Sequence, residues 1–178
     1  MTSIERPLCV DLDGTLIKSD MLYESLAAML RTSPWRALQL PFWLVKGRAN
    51  LKKQIAAFGV PETGLVPINN DVLKFIVAEK LRGRKIYLAT AADQELANAF
   101  SKELGIFDDT IASQNGKNNK GLNKAKVLIE RFGLRGYDYI GDSKSDLPVW
   151  KTAATAHVAT ADKSLLAKIR KQNTEIGE

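Results

Sequence analysis

Apolar and polar positions alternate between two patterns along this chain. Short apolar runs predict five buried strands at 6–10, 85–89, 110–112, 137–140 and 156–158. Apolar residues at helical spacing predict helices between and after these strands, at 69–80, 94–104, 123–132, 146–152 and 163–170. Strands that alternate with helices indicate a three-layer α/β fold, in which a parallel sheet is covered on both faces.

A long helical stretch separates the first predicted strand from the second. Apolar positions follow helical spacing from about 20 to 57, and Pro34, Gly47 and Pro61 mark breaks between about three short helices. An ordinary crossover needs only one helix. We therefore expect residues 17–68 to form an inserted helical cap, with the core made by 1–16 and 69–178.

Composition limits the class of protein. The chain has 178 residues, of which 45% are hydrophobic and 26% charged, as in an ordinary folded domain. The single cysteine, Cys9, lies in an apolar run, which predicts a buried free thiol and excludes an internal disulfide or a cysteine zinc site. The start lacks the pattern of a secretory signal, and the apolar stretch at 37–45 is too short to span a bilayer. We therefore expect a cytoplasmic protein.

The net charge of +6 is compatible with several kinds of anionic partner. Nucleic acid is not expected, because the basic residues are scattered and form neither a recognition helix nor a repeat with aromatic residues. Phosphorylated small molecules and an anionic membrane surface remain as candidate partners.

Polar residues follow three of the predicted strands where each strand ends. Asp11 and Asp13 follow the first strand, Thr90 follows the second, and Asp142 and Asp146 follow the fourth. Such ends converge at one edge of a parallel sheet, where ligands bind. Crowded carboxylates repel one another unless a hard cation neutralises them, and oxygen ligands suit Mg²⁺. The pattern therefore predicts a magnesium site that serves phosphoryl transfer.

Phosphoryl transfer would use these residues in different ways. A carboxylate can act as nucleophile and form an aspartyl-phosphate that water then hydrolyses. Thr90 would donate its hydroxyl to a phosphoryl oxygen. A lysine before the fourth strand would supply positive charge, and Lys124 is preferred to Lys120 because it opens the apolar periodicity of a helix.

The chain resembles the haloacid dehalogenase superfamily at four motifs, found in order as Val10-Asp-Leu-Asp-Gly-Thr-Leu16, Leu88-Ala-Thr90, Lys124 and Gly141-Asp-Ser-Lys-Ser-Asp146. The resemblance implies a Rossmann-like core, Mg²⁺ as cofactor and Asp11 as nucleophile. It also implies that Asp13 is the general acid and base, which favours a phosphatase over a dehalogenase. The implied metal ligands are the Asp11 carboxylate, the Asp13 backbone carbonyl and Asp142, with Asp146 orienting the metal shell.

The cap position is similar to that of the phosphoserine-phosphatase-like branch of this superfamily. That branch has an acidic residue shortly after the first motif, which Asp20 matches approximately. The branch commonly has Gly-Gly after the second motif, where this chain has Ala91-Ala92, so phosphoserine itself is not the expected substrate. The resemblance implies that Asp20, Thr90, Ala91, Lys124 and Ser143 bind substrate.

A finer resemblance is to the haloacid-dehalogenase-type domain that precedes a membrane prenyltransferase in some bacterial fusions. It rests on stretches such as Pro41-Phe-Trp43 and Asp146-Leu-Pro-Val-Trp150. It implies a prenyl-linked or membrane-proximal phosphate as substrate, a place at the inner face of the membrane, and a prenyltransferase as partner. The alternative is a catalytically weak or inactive docking domain associated with such a prenyltransferase.

The aromatic residues of the predicted cap allow two interpretations. Trp35, Phe42 and Trp43 could pack inside the cap or face lipid, and packing inside is preferred because a cap must bury apolar surface of its own. The basic residues around them would be a solvated face or the flanks of an interfacial helix. The only histidine, His157, lies in a short strand and is assigned a structural role.

Overall fold

The computed structural model describes residues 6–114, 117–160, 162–171 and 175–177, and within them six parallel strands form one sheet in the order β3-β2-β1-β4-β5-β6. The strands are β1 (Leu8–Val10), β2 (Ile86–Asp93), β3 (Asp109–Ser113), β4 (Asp138–Gly141), β5 (Thr155–Val158) and β6 (Glu175–Gly177). The predicted α/β fold class is confirmed.

Eight α-helices accompany the sheet in the described residues. They are α1 (Met21–Thr32), α2 (Leu40–Val45), α3 (Arg48–Phe58), α4 (Asn70–Leu81), α5 (Gln94–Leu104), α6 (Leu122–Phe132), α7 (Leu147–Trp150) and α8 (Lys163–Arg170). Short 3₁₀ helices lie at Pro34–Gln39, Thr63–Leu65 and Lys144–Asp146. Every helix among the described residues is too short or too polar to cross a bilayer.

Two separate apolar clusters cover the two faces of the sheet. Alternation along β1 sends Leu8 and Val10 to the cluster that contains residues of α4 and α5. Cys9 points to the other cluster, with residues of α6, α7 and α8. Cys9 is a buried free thiol, as predicted. Helix, sheet and helix therefore form the three expected layers.

The chain between β1 and α4 leaves and rejoins the sheet at adjacent points. Ile17 forms an isolated antiparallel bridge with Ile68, and the amide of Lys18 donates to the carbonyl of Pro67 at 2.8 Å. Between these points lie α1, α2, α3 and two of the short 3₁₀ helices, broken near the predicted positions. The division into a core of residues 1–16 and 69–178 and a cap of residues 17–68 stays a prediction.

The interpretation of the cap aromatics as buried is wrong for two of the three. Trp35 is 57% exposed and Phe42 is 70% exposed. Trp43 is half-buried and stacks on Phe58 of α3, with ring centroids 5.9 Å apart. In the part of the chain that the structure describes, the short helix α2 packs against α3 and the preceding 3₁₀ helix, so its other side stays exposed.

Two elements differ from the predicted ones because their sequence signals are weak. β2 continues to Asp93, since Ala91 and Ala92 extend the strand past the point where the apolar run ends. β6 was not predicted, because three residues are too few for an alternating pattern. The half-buried ring of His157 packs against Phe75, with ring centroids 5.0 Å apart.

Candidate active site

The strand order creates a crevice at the carboxyl end of β1. β1 lies between β2 and β4, and its last residue, Val10, is in register with Leu88 on one side and Ile140 on the other. The residues that follow Val10, Leu88 and Ile140 therefore lie close together at the carboxyl ends of the strands. In open α/β sheets, ligands bind at such a point.

A buried chain of hydrogen bonds joins three of the elements at this edge. The Lys124 ammonium, only 3% exposed, donates to Asp11 Oδ1 at 2.7 Å and to the Tyr139 hydroxyl at 2.8 Å. Tyr139 in turn donates to Asp146 Oδ1 at 2.8 Å. Cys9 and Tyr139 are paired in register and face α6, so Asp11, two residues beyond Cys9, follows the same alternation toward Lys124.

Asp142 occupies a space that only glycine leaves free. Gly14 has φ +76°, a conformation that favours glycine, and a Cβ at this position would lie 2.3 Å from Asp142 Oδ2. The Thr15 hydroxyl donates to Asp142 Oδ1 at 3.3 Å. The turn after β1 is therefore shaped to receive this carboxylate, which is the physical reason for the Asp-Gly-Thr sequence.

Asp146 is oriented by the turn that carries it. The Ser143 amide and hydroxyl both donate to Asp146 Oδ2, at 3.2 and 3.0 Å, and close a capping box at the start of the short helix. Asp146 is 1% exposed. The structure thus shows Ser143 holding Asp146, and its predicted contact with substrate stays a prediction.

The acidic residues at this edge fit a hard divalent cation. Asp11, Asp142 and Asp146 each offer a carboxylate oxygen within 4.8 Å of the others. Burial raises the pKa of Asp11, although Lys124 opposes this, and burial followed by the nearby Asp146 charge raises the pKa of Asp142. One ammonium offsets three carboxylates only in part, so a dication with oxygen ligands would complete the charge balance.

The Asp13 side chain contacts the start of α1. Its Oδ1 accepts a hydrogen bond from the Met21 amide at 2.7 Å. Burial raises the pKa of Asp13 to about 6, although the Met21 hydrogen bond acts to lower it. Asp20 caps the same helix by accepting from the Leu22 amide at 2.8 Å. Both carboxylates therefore meet the first turn of α1.

The two predicted residues of β2 take different positions. Thr90 is fully buried, and its hydroxyl accepts from the Ala92 amide at 3.0 Å. The carbonyl of Ala91 accepts from Ser113 in β3 at 2.9 Å. Buried Asn119 donates through Nδ2 to the carbonyls of Thr90 and Ile111, which fixes the ends of both strands.

A small cleft opens between the strand ends and helices α1 and α3. Its polar lining includes Asp13 and Asp20 at the start of α1, and Lys52 from α3. Its apolar lining consists of Leu22, Ala56, Ala91, Ala92 and Leu96. The cleft therefore places carboxylates and an apolar surface side by side next to the strand ends.

The structure distinguishes the two candidate lysines by position. Lys124 contacts Asp11, whereas Lys120 is exposed on the loop before α6. Two residues of that loop, Asn115 and Gly116, lie outside the described residues.

Sequence reasoning missed three residues that support the site, namely Thr15, Asn119 and Tyr139. The sequence contains features that could have indicated a role for Thr15 and Tyr139. Thr15 adjoins the first acidic pair, and Tyr139 is a polar-tipped aromatic two residues before the end of β4. Asn119 has no such feature, because an asparagine in a loop normally indicates only a turn.

Comparison with solved structures shows the same fold in proteins of low sequence identity. A Bordetella pertussis Tohama I protein of unknown function has a TM-score of 0.71 and 14% identity, with 99% of each chain covered. A phosphoserine phosphatase, solved as a phospho-aspartyl intermediate analogue, has a TM-score of 0.59 and 16% identity, covering 98% of this chain and 93% of its own. A haloacid dehalogenase-like hydrolase of Streptococcus pneumoniae has a TM-score of 0.61 and 16% identity, covering 99% and 94%.

Two further comparisons concern sequence. The uncharacterized protein y4nM of Sinorhizobium fredii is 38% identical over 171 residues, which cover 96% of this chain and 33% of that protein. The chain thus spans about a third of the length of this curated relative. The family model of haloacid dehalogenase-like hydrolases matches residues 8–151, a range that runs from β1 through α7 and includes the ends of β1, β2 and β4 at this site. The chain belongs to the haloacid dehalogenase-like hydrolase family.

Proposed function

We propose that this protein is a magnesium-dependent phosphatase that hydrolyses a phosphate monoester through a phosphorylated Asp11. The observation that carries the proposal is the contact between Lys124 and Asp11, beside two further carboxylates at the strand ends. The phosphatase named among the structural neighbours was solved as a phospho-aspartyl intermediate analogue, which is consistent with this chemistry.

In the first step, an oxygen of Asp11 attacks phosphorus and the bond from phosphorus to the leaving oxygen breaks. The departing alkoxide takes a proton from Asp13. The raised pKa of Asp13, about 6, keeps a useful fraction of this carboxyl protonated near neutral pH. Lys124 and the Thr90 hydroxyl would offset negative charge on the phosphoryl group.

In the second step, water replaces the aspartyl oxygen on phosphorus. Asp13, now ionised, takes a proton from the attacking water, and the bond between phosphorus and Asp11 breaks. Inorganic phosphate leaves, and both carboxyl groups return to their starting states. The two steps consume one water and release one alcohol and one phosphate.

Asp11, Asp142 and the backbone carbonyl of Asp13 would hold the Mg²⁺ ion, with Asp146 orienting its shell. The bound ion would supply positive charge to the phosphoryl oxygens. Asp146 is well suited to its part, because Ser143 and Tyr139 already fix its two oxygens.

The proposal is tested with purified protein, an aryl phosphate, and either Mg²⁺ or EDTA in the buffer. We expect hydrolysis with Mg²⁺, none with EDTA, and loss of activity in Asp11→Asn. Asp109→Asn is the matched control, since Asp109 is an exposed carboxylate on β3. Activity that survives Asp11→Asn, or that ignores the chelator, would contradict the mechanism. Inactivity of the wild type over a broad panel of phosphates would favour the docking-domain alternative.

The cleft supports a finer proposal, that the leaving group carries an apolar tail such as a prenyl chain. Leu22, Ala56 and Leu96 give the cleft an apolar side, next to the carboxylates of Asp13 and Asp20. Trp35 and Trp43 are not among the described residues that line it. The tail would therefore contact α1, α3 and α5 rather than the exposed aromatic residues.

This finer proposal is tested with a series of alkyl and prenyl phosphates of increasing length, kept below their micelle-forming concentrations. Each buried CH₂ group contributes about 0.8 kcal/mol, so kcat/KM should rise severalfold over the first few carbons. Leu22→Ala should weaken the length preference and leave hydrolysis of a short phosphate nearly unchanged. A flat dependence on length would exclude the apolar tail while leaving the phosphatase proposal intact.

A further inference from the structure

The positive charge of this protein is concentrated in one part of the chain. Residues 25–61 contain six basic residues and no acidic one, namely Arg31, Arg36, Lys46, Arg48, Lys52 and Lys53. The whole chain has 26 basic and 20 acidic residues, so the remainder has 20 of each and no net charge. The net charge of residues 25–61, +6, therefore equals that of the whole chain.

The same part of the chain exposes large apolar side chains. We call Pro34–Val45, the 3₁₀ helix and α2 together, the apolar segment. No residue of either helix is buried. Its exposed large side chains, with their exposed fractions, are Trp35 (57%), Leu38 (77%), Phe42 (70%), Leu44 (52%) and Val45 (88%). Isolated exposed apolar residues are ordinary, but five within eleven positions form a patch that indicates a binding surface.

The apolar segment is held in place by α3. Trp43 stacks on Phe58, and the Arg36 guanidinium lies 3.5 Å from the centre of the same Phe58 ring. Arg36 also lies over the ring of Trp35, at 4.7 Å from its centre. These contacts fix one side of the segment against the protein and leave the other side, with Leu38 and Phe42, in solvent.

Basic residues border the apolar segment at both ends. Arg31 precedes it, Lys46 follows it, and both are exposed, as is Lys53 in α3. Apolar side chains bordered by basic ones are typical of helices that lie in the interface of an anionic bilayer. Juxtaposed lysine and arginine side chains then meet the negative surface, while aromatic and aliphatic side chains enter the boundary of the acyl chains.

We propose that the apolar segment docks this protein on the surface of an anionic lipid bilayer. An acidic protein partner would match the charge too, but it would have to cover a patch with few hydrogen-bonding side chains. A lipid surface needs no such partners and adapts to the shape. The proposal does not rest on the phosphatase reaction, because it concerns a surface outside the cleft and its carboxylates.

The proposal is tested by flotation of the protein with vesicles of phosphatidylcholine alone or of phosphatidylcholine mixed with phosphatidylglycerol. We expect binding to the mixed vesicles, weak binding to the neutral ones, and release by salt. Leu38→Gln and Phe42→Gln should each lower the partition coefficient, Phe42→Gln by about tenfold or more. Lys46→Gln should lower it about fivefold, since a basic residue near an anionic surface contributes about 1 kcal/mol.

Exposed residues elsewhere provide the matched controls. Leu134 is 67% exposed and Lys151 is exposed, and both lie far along the chain from the apolar segment. Leu134→Gln and Lys151→Gln should float as the wild type does, and thermal melts of all variants should confirm equal folding. Quenching of tryptophan fluorescence by brominated lipid should decrease in Trp35→Tyr.

Three outcomes would overturn the proposal. The first is equal flotation with neutral and anionic vesicles. The second is equal loss of binding in the control variants. The third is a lack of vesicle binding together with a dimer that Phe42→Gln dissociates in sedimentation, which would make a second copy of the chain the occupant of this surface. None of these measurements uses phosphatase activity, so their failure leaves the proposed reaction untouched.

Discussion

At the scale of single residues, Lys124 links two carboxylates of the site and the Tyr139 hydroxyl. It donates to Asp11 and Tyr139, and its ammonium is also 3.7 Å from Asp146 Oδ1. An ammonium so placed reduces the repulsion between the carboxylates and an incoming phosphoryl group. A neutral side chain at this position would leave that repulsion without its internal counter-charge.

Lys124→Ala should therefore lower kcat by about a hundredfold or more, comparable to removing one transition-state donor. Steady-state kinetics with an aryl phosphate measures the effect. Lys120→Ala is the matched control, because Lys120 lies on the loop just before α6 and is exposed. A greater loss of activity in Lys120→Ala than in Lys124→Ala would show that the charge-offsetting lysine is misassigned.

The sequence predicted the carboxylates at the strand ends better than the side chains that hold them in place. Asp11, Asp142 and Asp146 come together because strand ends converge by the geometry of the sheet, which a strand pattern already implies. Tyr139 could not be predicted with the same ease. Its role depends on which face of β4 lies under α6, and this depends on the packing of the whole sheet.

At the scale of elements, a buried ion network ties α4 to two strands at the edge opposite the active site. Arg84, just before β2, donates to Glu79 of α4 at 2.7 Å and to Asp138 of β4. All three side chains are buried. The arginine is therefore the common partner of two carboxylates that have little access to water.

Arg84→Met should destabilise the fold by about 3–5 kcal/mol, because it removes the buried partner of two buried carboxylates and leaves only the exposed arginines Arg6 and Arg82 beside them. Arg82→Met is the matched control. Arg82 also pairs with Glu79, at 2.7 Å, but its side chain is 71% exposed, so the expected loss is below about 1 kcal/mol. Urea unfolding followed by circular dichroism measures both changes. Equal losses in the two variants would mean that burial does not set the strength of this network.

Element bounds followed from the sequence where a long pattern existed. α5 and α8 have the predicted limits, because each combines helical periodicity with an aspartate cap, Asp93 or Asp162. The predicted helix at 146–152 is shorter, since Pro148 and the tight turn at Asp146 leave room for a 3₁₀ turn and a single helical turn. Short elements depend on tertiary contacts, and a single sequence carries little information about them.

At the scale of the whole molecule, the two ends of the parallel strands, which we call the amino edge and the carboxyl edge, carry different sets of charged residues. The amino edge carries compensated charges, such as Arg84 with Glu79 and Asp138, which hold the elements together. The carboxyl edge carries an excess of carboxylates over ammonium groups, which favours a bound cation and a phosphorylated ligand. The exposed apolar segment adds a third region, with basic charge and no carboxylate. Function and stability can therefore be changed separately in this fold.

The bridge between Ile17 and Ile68 has a consequence for divergence among related chains. A segment whose two ends meet side by side can be lengthened, shortened or exchanged during evolution without moving the strands on which it is mounted. The length and sequence of α1 and α3 can then vary while the strand ends that carry the carboxylates keep their positions. The same junction is the natural point at which to graft the helices of one relative onto the sheet of another.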